Sequence, residues 1–124
     1  MDVKKREEII KFAQKLNSTN LSPLRSGNIS LKAQNNNGEG FLITPSGKKY
    51  DSLKANDIVF VSLDGKYDEK GLQPSSEWRF HKDIYLKKTD AKAVVHAHSP
   101  HATAVSAHNK DIPAFHYMIA LAGG

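Results

Sequence analysis

Two histidines stand two residues apart in Val94-Val95-His96-Ala97-His98-Ser99-Pro100-His101, at the end of an apolar run. In a β-strand, residues i and i+2 share a face, so His96 and His98 can turn both imidazoles toward one metal ion. Two donors are fewer than the three or four that a zinc or iron site usually takes. Spacing therefore leaves two readings open, a metal pair and a hydrogen-bonded pair on a half-buried strand. Glu77 has two readings as well. It can serve as the N3 member of a capping arrangement behind Ser75 and Ser76. It can also take a proton from a carbon made acidic by metal polarisation of a neighbouring carbonyl. Three short loops have the chemistry of an anion cradle: Ser26-Gly27-Asn28, then Ser46-Gly47 after Thr44-Pro45, and Ser75-Ser76 where a helix begins. Each loop alone reads equally well as a turn or an N-cap. Of the six histidines, the other four (His81 in mid-helix, His101, His108 and His116) carry no spacing signal that separates a ligand from a core or surface residue.

The elements that must position these groups alternate along the chain. Ile9, Ile10, Phe12, Ala13 and Leu16 give Val3 to Asn17 the spacing of an amphipathic helix. Asn28 to Ala33 alternates as a short strand, and Asn35-Asn36-Asn37-Gly38 is a turn. Phe41-Leu42-Ile43-Thr44 and Ile58-Val59-Phe60-Val61 are apolar, β-branched strands, with Leu63-Asp64-Gly65-Lys66 turning the chain after the second. Pro74-Ser75-Ser76-Glu77 opens a second helix through Trp78, Phe80, Ile84, Tyr85 and Leu86. Ala93 to His98 is the next strand. Ser99 then reads as an N-cap and Pro100 as the first residue of a third helix. The pattern predicts an α/β sandwich or layered sheet.

Composition narrows the function. At 124 residues the chain is at most one domain with room for a core. With no cysteine it has no disulfide, thiolate nucleophile or Cys-ligated metal. No apolar run approaches the roughly 20 residues of a membrane span, and the start lacks a signal peptide's apolar segment, so a cytoplasmic protein is expected. The formal net charge is +5, but basic residues are interleaved with acids, as in Lys4-Lys5-Arg6-Glu7-Glu8. A nucleic-acid partner is therefore not expected, while a positive field suits a small phosphorylated substrate.

Five motifs occur in a fixed order: Ser26-Gly27-Asn28-Ile29-Ser30, Leu42-Ile43-Thr44-Pro45-Ser46-Gly47, Pro74-Ser75-Ser76-Glu77-Trp78-Arg79-Phe80-His81, Val94-Val95-His96-Ala97-His98 and Ile112-Pro113-Ala114-Phe115-His116-Tyr117-Met118. Together they resemble the class II aldolase/adducin family over nearly the whole chain. The resemblance implies a layered α/β/α fold with a central, largely antiparallel sheet. By position it implies that Gly27, Asn28, Ser46, Gly47, Ser75 and Ser76 hold a sugar phosphate. It makes His96 and His98 ligands of zinc or another divalent metal, one per subunit, and Glu77 the catalytic acid/base and a further ligand when no substrate is present. Tyr117 matches a tyrosine acting from a neighbouring subunit of a homotetramer. The implied reaction is reversible aldol cleavage of a ketose 1-phosphate to dihydroxyacetone phosphate and an aldehyde, with no Schiff-base lysine.

Two other functions fit the same family. The pentulose-phosphate 4-epimerases share the zinc histidines but have an aspartate where Glu77 stands, and the adducin branch uses the fold as an interaction module without catalysis. Family members are also longer, with a third zinc histidine beyond the matched part. Residues 1–124 are therefore expected to form the N-terminal part of one such domain. His96, His98 and Glu77 alone should then bind metal more weakly, and an exposed partial core could drive self-association.

Overall fold

The computed structural model describes residues 2–36 and 38–122. Helix α1 (Val3–Ser18) is followed by strands β1 (Asn28–Asn35), β2 (Gly38–Ile43) and β3 (Val59–Ser62), helix α2 (Trp78–Lys87), strand β4 (Ala93–His96) and helix α3 (Pro100–Ala107). The strands form one sheet in the order β3-β2-β1-β4, and every neighbouring pair is antiparallel. Short 3-10 turns at Tyr50–Ser52, Ala55–Asp57 and Tyr117–Ala122 fill the connections. Of the predicted Asn35–Gly38 turn, Asn37 lies outside the described residues, as do Gly123 and Gly124 at the end of the apolar run after Tyr117.

Period-two alternation assigns each strand residue to one face. Ile29, Ala33 and Leu42 point toward α1, where Ile9, Ala13 and Leu16 pack with Tyr50, Leu53 and Ile58 into one buried cluster. Phe41, Ile43, Val59 and Val61 point the other way and pack under Tyr85 of α2. The Phe41 and Tyr85 rings meet at 5.3 Å between centroids. The sheet is thus sandwiched between α1 and α2, the layered antiparallel α/β/α arrangement that the motifs imply.

At three element ends the structure departs from expectation. α2 starts at Trp78 with Glu77 as its N-cap, and the Glu77 side chain makes no capping bond. The capping-box reading of Glu77 therefore does not hold, because its carboxylate is engaged elsewhere. β4 ends at His96, two residues short of the predicted strand, because β1 begins opposite it at Asn28 and offers no further partner. The N–H of His98 donates instead to Ser22 Oγ (3.0 Å). At α3, Pro100 is the first helical residue as expected, but the Ser99 side chain does not cap.

Candidate active site

The register of β1 with β4 builds the site. Asn28 pairs with His96 and Ser30 with Val94, so Asn28, Ser30 and His96 share the sheet face that α2 covers. Glu77 sits at the entrance of α2, directly above them. Its Oε2 accepts a hydrogen bond from Asn28 Nδ2 (2.6 Å) and lies 3.4 Å from His96 Nε2. His98 is beyond the strand, yet its Nε2 faces that of His96 at 2.8 Å. The Phe80 and His96 rings meet edge-to-face with their centroids 5.2 Å apart, and Phe80 walls that side. Donor atoms of Glu77, His96 and His98 all lie within 4.8 Å of one another, with His98 exposed and the other two half-buried. The strand argument for the two histidines fails in its detail, since His98 is outside the strand, but the turn after β4 restores the convergence.

The three glycine- and serine-bearing loops meet beside this cluster. Ser26, Gly27, Asn28, Ser46, Gly47, Ser75 and Ser76 line one cleft of about 190 Å³ together with Glu77 and His98. Long-range hydrogen bonds hold the loops together. Pro45 bridges Pro74, Ser46 N–H donates to the Gln73 carbonyl (2.9 Å), and Ser75 N–H donates to that of Thr44 (3.0 Å). Arg25 Nη1 donates to the Gly47 carbonyl (2.6 Å), and Tyr50 OH to that of Gly27 (2.5 Å). Among the described residues, the backbone N–H groups of Gly47 and Ser76 have no internal acceptor. Gly27 is held at φ +82, and a Cβ there would meet the His96 carbonyl oxygen at 2.5 Å and Ser22 Oγ at 2.7 Å. Only glycine lets this loop pass so close to the end of β4.

Several residues of the site had no role assigned to them by the motifs. Arg25 and Lys48 line the cleft as cations, and Lys48 Nζ is paired with Asp57 Oδ1 at 2.6 Å. A basic residue next to each glycine loop was the available clue. His81, fully buried on α2, bonds Asn28 Oδ1 through Nε2 (2.5 Å) and Ser30 Oγ through Nδ1 (2.7 Å). Its clue was helical spacing, since Glu77, His81 and Tyr85 recur every four residues. Burial holds the His81 pKa down at about 4; the charge of His96 adds to the shift and that of Glu77 opposes it. Burial likewise raises the Tyr50 hydroxyl, against a bond from Thr44 and with help from the Glu77 charge.

Tyr117 is the predicted residue that the structure does not bring in. It lies outside the cleft, 78% exposed, with its ring stacked on His116 at 4.6 Å.

Residues 7–124 match the model of the class II aldolase and adducin N-terminal domain. The chain belongs to the class II aldolase and adducin family. It is 47% identical over 117 residues to the L-fuculose phosphate aldolase of Escherichia coli, and 44% identical over 119 residues to the 5-methylthioribulose-1-phosphate/5-deoxyribulose-1-phosphate aldolase of Rhodospirillum rubrum. These alignments cover 94% and 96% of this chain and 52% of each relative, so the chain spans about half the length of the curated relatives it matches. A solved L-fuculose 1-phosphate aldolase superposes with a TM-score of 0.82 at 36% identity, covering 94% of this chain and 54% of that one. The Thermus thermophilus l-fuculose-1-phosphate aldolase superposes at 0.69 with 30% identity, covering 87% and 53%. Class II aldolases are metal-dependent, and the donor set here fits a divalent cation: two imidazole nitrogens and one carboxylate oxygen, converging from two elements, are borderline to hard ligands. No helix among the described residues is long and apolar enough to cross a membrane.

Proposed function

We propose that residues 1–124 form the metal- and phosphate-binding part of one class II aldolase domain, and that the whole enzyme reversibly cleaves a ketose 1-phosphate to dihydroxyacetone phosphate and an aldehyde. The observation that carries this reading is the convergence of Gly27, Asn28, Ser46, Gly47, Ser75 and Ser76 on one cleft that Glu77 and His98 also line. Exposed backbone N–H groups and hydroxyls there, with Arg25 and Lys48 beside them, form a cradle for a phosphate dianion. The relatives' substrates share a phosphate next to a ketone and differ at the aldehyde end. L-Fuculose 1-phosphate is one candidate among such ketoses.

His96 and His98 would hold the metal, proposed as zinc, with Glu77 as a further ligand while no substrate is bound. When bound it supplies a Lewis acid that polarises the substrate's ketone and adjacent hydroxyl. In cleavage, the hydroxyl on the far side of the breaking bond loses its proton, its electrons close the aldehyde carbonyl, and the electron pair of the broken carbon–carbon bond stays on the carbon beside the ketone. Glu77 delivers a proton to that carbon and removes it in the reverse direction. The Tyr117 hydroxyl, reaching the site of a neighbouring subunit in a homotetramer, exchanges the proton on the aldehyde oxygen. Its exposure and its place outside the lining of this chain's own cleft support that assignment.

Zinc titration of the chain beside its His96→Ala, His98→Ala double variant tests the metal reading. Loss of binding in the variant is expected, and equal metal content would sink it. Incubation of the gene's full product with a panel of ketose 1-phosphates tests the reaction, with dihydroxyacetone phosphate as the readout.

A further inference from the structure

Behind Glu77 runs a chain of buried polar groups that the aldol chemistry does not itself require. Asn28, Ser30, His81 and Tyr85 are each at most 2% exposed. Tyr85 OH lies 2.8 Å from Ser30 Oγ, which lies 2.7 Å from His81 Nδ1, and His81 Nε2 lies 2.5 Å from Asn28 Oδ1. Asn28 Nδ2 in turn lies 2.6 Å from Glu77 Oε2.

The direction of this chain follows from its last link. An ionised carboxylate only accepts, so the Asn28 nitrogen must face Glu77 and its oxygen must face His81. The His81 Nε2 therefore carries the ring's hydrogen, Nδ1 is bare and accepts from the Ser30 hydroxyl, and the Ser30 oxygen accepts from Tyr85. Reversing any link turns the Asn28 carbonyl onto the Glu77 carboxylate, where two acceptors repel. The geometry points to His81 as a positioning residue: its neutral Nε2–H tautomer locks the amide of Asn28 and thereby fixes the Glu77 carboxylate beside His96 and His98. This inference rests on the reading of Glu77 as metal ligand and acid/base. A packing role alone would be met by apolar side chains, as it is on the other face of β1, whereas burying four polar groups is tolerable only with every one satisfied.

Long-range proton–nitrogen NMR on the labelled wild-type chain reads the tautomer without any substitution. Hydrogen on Nε2 of His81 is expected; hydrogen on Nδ1 overturns the inference. The second test measures zinc affinity, by competition with a chromophoric chelator, and the visible spectrum of the cobalt-substituted site. His81→Leu should weaken zinc roughly 10- to 100-fold and alter the cobalt spectrum, as loss of an outer-shell partner does. His81→Gln, whose amide can still donate to Asn28, should restore most of both. Wild-type affinity in a folded His81→Leu, or no rescue by glutamine, overturns the inference. If His81→Leu does not fold, Ser30→Ala takes its place. It removes the partner of Nδ1 but leaves the Asn28–Glu77 link that sets the direction, so hydrogen retained on Nε2 supports the inference, and hydrogen moved to Nδ1 overturns it. A wild-type chain that binds no zinc would refute the metal reading instead, and the tautomer measurement would still judge the relay.

Discussion

The two faces of β1 are built on opposite principles. Toward α1, Ile29 and Ala33 join Ile9, Ala13 and Leu16 in a cluster held by shape and the exclusion of water. Toward α2, one residue away in sequence, Asn28 and Ser30 are equally buried but held by hydrogen bonds to Glu77, His81 and Tyr85. The same α2 face turns apolar again over β2 and β3, where Phe41, Ile43 and Val61 pack on Tyr85. On the sheet face under α2, the fully buried polar strand residues are thus Asn28 and Ser30 of β1. An apolar face tolerates small shifts by repacking, whereas a hydrogen-bonded one loses its partners outright, and the chemistry sits where orientation is most constrained.

The largest effect expected on the polar face is chemical. In the full gene product, Glu77→Gln should lower the turnover of ketose 1-phosphates roughly 10²–10⁴-fold with the fold intact, read by steady-state kinetics and circular dichroism. Undiminished cleavage would reduce Glu77 to a structural residue. On the apolar face, Ile9→Ala should cost about 2–5 kcal/mol of stability in denaturant melts. It should leave the zinc affinity of the folded fraction unchanged, and a parallel loss of zinc binding would show that the two faces are not independent.

The next effect separates the faces by pH. His81 has a folded pKa of about 4 against an ordinary 6.5, so the unfolded chain takes up a proton at pH values where the folded chain does not. Its contribution is present in full above pH 6.5 and is lost as the pH falls toward 4, by up to ~3 kcal/mol. Melts of His81→Gln should lack that share of the acid destabilisation. The smallest effect belongs to the cleft. Ser75→Ala, removing one hydroxyl from a many-donor cradle, should weaken inorganic phosphate binding by about 1 kcal/mol in calorimetry, with zinc affinity unmoved.

The helices, strands and loops were legible because they depend on local periodicity. Apolar spacing in Val3–Ser18 found α1, β-branched runs found β2 and β3, and two serine–glycine pairs and one serine pair marked the three loops that now line one cleft. The errors came at ends, where a partner strand decides. β4 stops at His96 because β1 starts at Asn28. His81 passed as an undistinguished mid-helix residue, although its spacing from Glu77 and Tyr85 was already helical.

The sequence by itself determined which residues alternate to which face of the sheet, where the glycines allow tight loops, and which side chains could bind metal or phosphate. Motif order carried it as far as the family. Only the tertiary structure decided that Asn28 lies between Glu77, 49 residues away, and His81, 53 residues away. The antiparallel register placed His96 across from Asn28, and Arg25 came to tie one loop to another. The physical reason is range. Periodicity reports the neighbours a residue has within a turn or a strand, while the direction of a hydrogen bond is set by whichever donor or acceptor packing brings to it from far along the chain.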